Sequence, residues 1–222
     1  MMFRRMMFRR ILLSALLAVS LPSLAGAGAM IMVKESARFN STSKLYLSKG
    51  NLRIEAIEDQ RVLIYRAADD SFWKLDPAAK TYQDMGAMAG PGVAGAPKAP
   101  EATYKKVASG EVVNGFATDQ YEVTAGGEKI ADVWMARTET VGLDPADVAG
   151  FRLLAKRMES ARVPPRGFAL SANAPEGVPM RTIAYYKGQT ISINELSGVT
   201  RWTVEPALFE LPADYKPDTR KP

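Results

Sequence analysis

The 222-residue sequence predicts a mainly β fold of the α+β class. We expect a curved antiparallel sheet of about eleven strands, forming a half-open barrel, with one amphipathic helix covering its concave face. Three observations predict it: short segments that alternate apolar and polar residues, tight-turn residues between them, and a single stretch with helical spacing. A sheet with this many strands has to curl, and its concave face then needs a filling.

The first half of the chain consists of short strand candidates separated by turn residues. Lys49-Gly50-Asn51 separates two alternating segments, which predicts a hairpin. Asp, Pro and Gln residues supply the later turns. The candidate strands are residues 30–35, 44–48, 52–57, 61–66, 71–75 and 80–83. Connections this short favour antiparallel neighbours.

The second half adds more strands and the helix. Asn114-Gly115 and Lys187-Gly188 are hairpin signals between candidate strands. Asp144 as N-cap and Pro145 at the first helical position open a helix that runs to about residue 161. A short helical turn follows late in the chain. The remaining candidate strands are residues 104–113, 116–124, 129–137, 179–186 and 189–196.

The N-terminus has the pattern of a secretory signal peptide. Arginines 4, 5, 9 and 10 precede an apolar run over residues 11–24, and small residues follow at 25–29. The pattern predicts a signal peptide of residues 1–29, cut before Met30, and a periplasmic protein; an uncleaved anchor is the alternative. We expect one domain over residues 30–216, with a flexible Gly/Ala/Pro loop at 86–100 and a polar tail at 217–222. No transmembrane segment is expected after signal removal.

Composition excludes several kinds of chemistry. The chain has no cysteine and no histidine, so it lacks a Ser-His-Asp triad, a cysteine nucleophile and His or Cys metal ligands. We therefore expect no catalytic residues, no metal and no cofactor. The acidic pairs at 58–59 and 69–70 lie at predicted turns, which explains them better than cation binding.

Net charge argues against nucleic acid as a partner. The whole chain carries 29 basic and 24 acidic residues, and four of the basic ones lie in the predicted signal peptide. The remaining domain is almost neutral, whereas nucleic-acid-binding domains carry a marked basic surface.

Four motifs resemble a known family. They are the run from Asp70 to Tyr82 with its Trp-Lys-Leu-Asp-Pro core, Asn114 to Tyr121, Val133 to Ala136, and the closing Phe209-x-Leu211-Pro212-x-x-Tyr215. In this order they resemble the secreted bacterial DUF4412 domain, a relative of the LolA/LolB lipoprotein carriers, over residues 44–215. The resemblance implies a half-open antiparallel barrel capped by helices. This chain departs from the carriers because its sequence shows one good helix rather than several.

A half-open barrel offers its concave face as a groove for an apolar ligand. We expect the helix to cover the opening, next to aromatic and aliphatic residues of the strands. The same residues serve equally as an ordinary core if the helix packs permanently. The predicted groove residues are Trp73, Trp134, Met135, Phe151, Leu154, Met158, Ile191 and Ile193.

These observations predict a periplasmic, non-catalytic binding or carrier protein rather than an enzyme. Its partner would be a lipid or an acyl chain held in the apolar groove. The alternative is an envelope protein-interaction or stress-sensing module without a small-molecule ligand, which rests on fold analogy. A hydrolase that uses carboxylates has no supporting motif in the sequence.

Overall fold

One twelve-stranded sheet runs through the protein. The computed structural model describes residues 26–37, 40–58, 60–85, 100–160 and 173–219. The strands of the first half are β1 (Gly26–Ala37), β2 (Ser41–Ser48), β3 (Asn51–Ala56), β4 (Val62–Arg66), β5 (Ser71–Asp76) and β6 (Thr81–Asp84). Those of the second half are β7 (Ala102–Val113), β8 (Phe116–Ala125), β9 (Glu128–Ala136), β10 (Val178–Tyr186), β11 (Gln189–Val204) and β12 (Lys216–Pro217).

Two helices and one 3-10 turn complete the described structure. They are α1 (Thr138–Val141), α2 (Pro145–Ser160) and a 3-10 helix at Pro206–Phe209. The strand order is β12-β6-β5-β4-β3-β2-β1-β11-β10-β9-β8-β7, and all neighbours are antiparallel except β12 with β6. The predicted mainly β fold with one main helix is confirmed. Elements α1 and β12 were not predicted, because both are too short to show a periodic pattern.

Central strand β1 joins the two halves of the sheet. It pairs with β2 on one side and with β11 on the other, and Ala29 lies opposite Leu47 and Arg201. Strands β6 and β7 follow each other along the chain yet lie near opposite edges. The predicted loop at 86–100 connects them, and residues 86–99 lie outside the described part.

The hairpin turns explain the register of the strands. At Lys49-Gly50 the φ angles are 47° and 82°, and at Asn114-Gly115 they are 50° and 87°. Positive φ at both central residues is the type I′ turn, whose twist matches that of paired strands. The short-range turn chemistry therefore acts as predicted.

The predicted domain boundaries stay predictions, although two lie inside strands. Residues 1–25 of the predicted signal peptide are outside the described residues, and β1 begins at Gly26 rather than at Met30. Pro217, the first residue of the predicted polar tail, belongs to β12. It follows that the sheet extends beyond both ends of the predicted domain.

Candidate functional site

The concave face of the sheet is apolar and is covered by the helices. One cluster of buried residues joins β1–β5, β7, α1, α2 and β9–β11, and we call it the concave cluster. Helix α2 contributes Val148, Phe151 and Leu154, which are 7%, 6% and 5% exposed. Facing strand residues include Leu47, Leu52, Tyr65, Phe72, Trp134 and Met180. Helix α2 thus packs one apolar side against the buried face of the sheet.

Helix α2 begins as the sequence predicts. The amide of Ala146 donates to Asp144 Oδ1 at 2.8 Å, so Asp144 is the N-cap. The helix lies against the turn between β2 and β3, where a Cβ placed on Gly150 would be only 2.7 Å from the Gly50 carbonyl oxygen. Glycine at position 150 therefore permits a close approach of helix and turn.

A buried carboxylate holds the first turn of α2 to the sheet. Asp147 is 3% exposed and accepts a hydrogen bond from the Lys49 amide at 3.1 Å. Arg201 Nη1 lies 3.4 Å from its other oxygen. Burial raises the pKa of the Asp147 carboxyl, and the nearby Asp144 adds to that rise. The Lys49 amide and Arg201 oppose it, because both favour the ionised form.

A second polar contact holds the other end of α2. Arg157 Nε lies 3.6 Å from Asp70 Oδ2, in the turn between β4 and β5. The buried hydroxyl of Tyr65 donates to Asp70 Oδ1 at 3.2 Å, and burial followed by the Asp70 charge raises the Tyr65 pKa to about 12. The seven helical steps from Gly150 to Arg157 rise about 10 Å, which matches two strand spacings. Helix α2 therefore runs along the row of turns at one rim.

The predicted groove residues separate into different environments. Trp134, Phe151 and Leu154 share the concave cluster. Trp73 packs on a second cluster under the C-terminal segment, and Met135 belongs to a third with Val123 and Val133. The structure therefore brings together three of the eight residues on the concave face.

The other three predicted groove residues lie on β11 and near the end of α2. Ile193 is half-buried and lies opposite Ile183 and Ser36, whereas Ile191 is half-buried at an irregularity in the pairing of β10 with β11. The side chain of Met158 lies outside the described residues. Ligand binding by any of the eight residues stays a prediction.

A polar cluster surrounds Trp134, and it was not predicted from the sequence. The indole Nε1 of Trp134 donates to Glu111 Oε2 at 2.6 Å, and the Arg181 guanidinium lies 5.3 Å from the centre of its ring. Arg181 also pairs with Glu195 at 2.6 Å and with Glu111 at 3.3 Å. These residues come from β7, β9, β10 and β11, so no local sequence pattern signals the cluster.

Two clefts lie on the surface away from the predicted groove residues. One cleft of about 220 Å³ is lined by β5, β6 and Asp218, and another of the same volume lies between the Lys49 turn and the 3-10 helix. None of the eight predicted residues lines either cleft. In the concave cluster the side chains of α2 pack directly against those of the strands.

In the part of the chain that the structure describes, no group of three or more Asp or Glu residues is placed to hold a metal ion. Nor does this part of the chain include a helix that is long and apolar enough to cross a membrane. At the Asp69-Asp70 turn, the Asp69 carboxylate instead forms hydrogen bonds inside the protein. It accepts one from the Arg66 side chain and one from the Ser71 amide.

Comparison with solved structures finds distant similarity. The chain is similar to MucB in complex with MucA(peri), with a TM-score of 0.45 and 9% identity over 85% of this chain and 55% of that chain. It is also similar to PNGF-II, with a TM-score of 0.46 and 9% identity over 87% of this chain and 31% of that chain. For the Pseudomonas aeruginosa MucA/MucB complex the TM-score is 0.38 and the identity 11%, over 86% of this chain and 59% of that chain. The chain spans little more than half the length of the MucB chains. No curated protein matches it significantly.

Comparison with protein-family models finds one family. The model described as a domain of unknown function, DUF4412, matches residues 27–215, which is most of the chain and includes all four motifs singled out in the sequence. The resemblance stated from those motifs is confirmed. This chain therefore belongs to the DUF4412 family.

Proposed function

We propose that this protein is an exported, non-catalytic binding protein of the bacterial envelope, whose concave face holds a lipid or acyl chain when α2 moves aside. The observation that carries the proposal is that helix α2 packs Val148, Phe151 and Leu154 on a continuous apolar face of the sheet. The N-terminal secretory pattern supports export, and the lack of histidine and cysteine supports a non-catalytic role.

The polar contacts that hold α2 are individually weak. Asp70 and Arg201 have side chains that are 57% and 52% exposed, and ion pairs with such exposed partners contribute at most about 1 kcal/mol. Burial of the Asp147 charge offsets part of its own hydrogen bonding. Gly150 lowers the intrinsic stability of the helix by about 1 kcal/mol relative to alanine. These features favour a helix that can leave its place.

An acyl chain can replace what the helix buries. Val148, Phe151 and Leu154 contribute about 1.5–3 kcal/mol each when buried, or roughly 5–9 kcal/mol together. Burying about twelve methylene groups of a fatty acyl chain stabilises by about 10 kcal/mol, at about 0.8 kcal/mol per methylene. The two quantities are comparable, so exchange of helix for ligand is energetically feasible.

A reversible cross-link tests the proposal, since the natural chain has no cysteine. Asp70→Cys with Arg157→Cys, joined by a short bis-thiosulfonate reagent, fixes α2 to the β4–β5 turn. We expect the linked protein to bind a fluorescent fatty acid at least about tenfold more weakly than the same protein after reduction. Equal binding in the linked and reduced forms would contradict a moving helix.

A matched control uses a second surface ion pair. Lys80 Nζ lies 2.7 Å from Asp214 Oδ2, and this pair joins the β5–β6 turn to the C-terminal segment rather than to α2. Lys80→Cys with Asp214→Cys, linked by the same reagent, should leave probe binding unchanged. If neither protein binds the probe in any state, the lipid-carrier proposal itself is wrong.

A protein-interaction module is the second candidate, and edge strand β7 favours it. Among the strands that the structure describes, this twelve-residue strand pairs only with β8, and its Val107 and Val112 are 48% and 65% exposed. Breaks in its register at Val107 and Gly110 limit any added strand to a few residues. A stoichiometric protein partner from envelope extracts, captured without lipid and lost on Val112→Lys, would support this candidate over the first.

A further inference from the structure

The middle of the sheet exposes part of its outer face, which is the face opposite the concave cluster. Ile31 and Val33 of β1 belong to the concave cluster, so alternation along the strand places Met30 and Met32 on the outer face. Among the described residues, the C-terminal segment covers the outer face of β3–β6, and Ala174 packs on β8 and β9. The outer side of β1 and β11 lies between these two covered regions.

Trp202 of β11 is the main apolar side chain of this region. It lies opposite Gly28 and is 41% exposed, and its ring centre is 5.3 Å from that of Tyr46. Tyr46 is buried and lies opposite Met30, so the three side chains come together from three neighbouring strands. Met30 and Met32 are half-buried. The indole thus packs on a buried ring while much of its own surface faces solvent.

Two lysines flank this apolar region. Lys44 lies opposite Met32, and Lys34 is the next residue of β1 on the same face. The carboxylates opposite these lysines are neutralised by arginines at 2.7 and 2.6 Å, and the two pairs are Arg53 with Glu55 and Arg181 with Glu195. The lysines therefore leave the region with a net positive charge.

We propose that the outer patch, made of Met30, Met32, Lys34, Lys44 and Trp202, docks the protein on an anionic lipid surface. The inference rests on the proposed function, because a carrier of acyl chains has to meet the membrane that supplies or receives them. Tryptophan favours the boundary between headgroups and acyl chains, since its ring is apolar and its N–H is polar. Lysines lay their apolar stems on the same boundary while their ammonium groups meet anionic headgroups.

A second copy of this chain fits the outer patch less well. A two-fold contact places the same surface of both copies face to face. Lys34 and Lys44 of one copy would then approach those of the other, and like charges repel. An anionic bilayer supplies the opposite charge across the whole patch, so it is the occupant that the charges favour.

Vesicle co-sedimentation tests the inference on the full chain, expressed with its own N-terminus and recovered from the periplasm. We expect binding to vesicles that contain phosphatidylglycerol, and weaker binding to phosphatidylcholine alone or at high salt. Lys34→Glu with Lys44→Glu should weaken binding to the anionic vesicles at least about tenfold. Trp202→Ala should weaken it at least about fivefold, because the exposed ring no longer enters the lipid.

A matched control makes the same change of charge elsewhere. Lys105 on β7 and Lys187 in the β10–β11 turn are exposed, and neither belongs to the outer patch. Lys105→Glu with Lys187→Glu should bind anionic vesicles nearly as well as the natural protein. Equal weakening by the two double variants would overturn the outer patch as the docking surface. Because the lysine variants leave the apolar packing intact, they decide the question even if Trp202→Ala unfolds.

Uptake of a fluorescent fatty acid by the same samples separates this inference from the proposed function. A protein that takes up the probe but does not bind anionic vesicles overturns the docking surface and leaves the carrier role standing. Vesicle binding that depends on Trp202 and the two lysines, without probe uptake, supports the surface while the carrier role fails. Dimers that are lost on Trp202→Ala, with no vesicle binding, overturn the inference in favour of contact between copies.

Discussion

Replacing Gly150 by alanine should destabilise the protein, although the same change in an ordinary helix interior stabilises. Alanine is better than glycine there by about 1 kcal/mol. At position 150, however, the added Cβ would lie 2.7 Å from the Gly50 carbonyl oxygen and 3.1 Å from its carbon. Normal contacts need about 3.5–4.0 Å, so α2 has to move away from the turn by several tenths of an ångström or more.

The size of the effect follows from two opposing terms. Overpacking that shifts backbone costs about 1–3 kcal/mol, and the shift also loosens Phe151 and Leu154 next to the substituted position. Subtracting the helical gain of about 1 kcal/mol leaves an expected net loss of up to about 2 kcal/mol. For a domain of this size that lowers the melting temperature by up to about 8 °C. A looser α2 should also increase binding of the fatty acid probe.

Urea unfolding followed by tryptophan fluorescence measures the change, with a lower midpoint at an unchanged slope as the expected result. Gly198→Ala is the matched control, since an added Cβ at that position of β11 meets nothing within 4 Å. The control should be as stable as the natural protein or slightly more stable. If Gly150→Ala behaves like the control, the close contact of helix and turn does not exist and the reasoning about α2 fails.

Two further substitutions test the site. Asp147→Asn removes a carboxyl whose pKa is raised because burial disfavours its charged form. When the pH rises from 3 through this raised pKa, the folded natural protein must ionise the buried carboxyl, so its stability falls relative to that of the variant. Melting temperatures at about pH 3 and pH 7 check this, and a constant difference between the two proteins would refute it. Trp134→Phe removes the hydrogen bond to Glu111 and should cost about 1–3 kcal/mol in urea unfolding. Trp202→Phe, at a 41% exposed ring, should cost under about 0.5 kcal/mol, and equal losses would argue against the polar cluster.

Local chemistry explains what the sequence alone determined. The type I′ turns at Lys49-Gly50 and Asn114-Gly115 need residues that tolerate positive φ, and such residues are visible in the sequence. The start of α2 is equally local, because the Asp144 side chain caps an amide two residues away. Alternation within each strand then separates the faces. These short-range rules were enough for the strand positions, the main helix and the mainly β class.

Only the tertiary structure decides which distant residues lie on the same face of the sheet as a given side chain. Trp134 and Met135 are neighbours in the chain, yet one joins the concave cluster and the other a separate cluster beside β8. The bond between Lys49 and Asp147 links residues 98 positions apart, and the Trp134–Arg181 contact crosses from β9 to β10. Alternation says that adjacent residues point to opposite faces, but the pairing and curvature of all the strands decide which face becomes concave and what covers it.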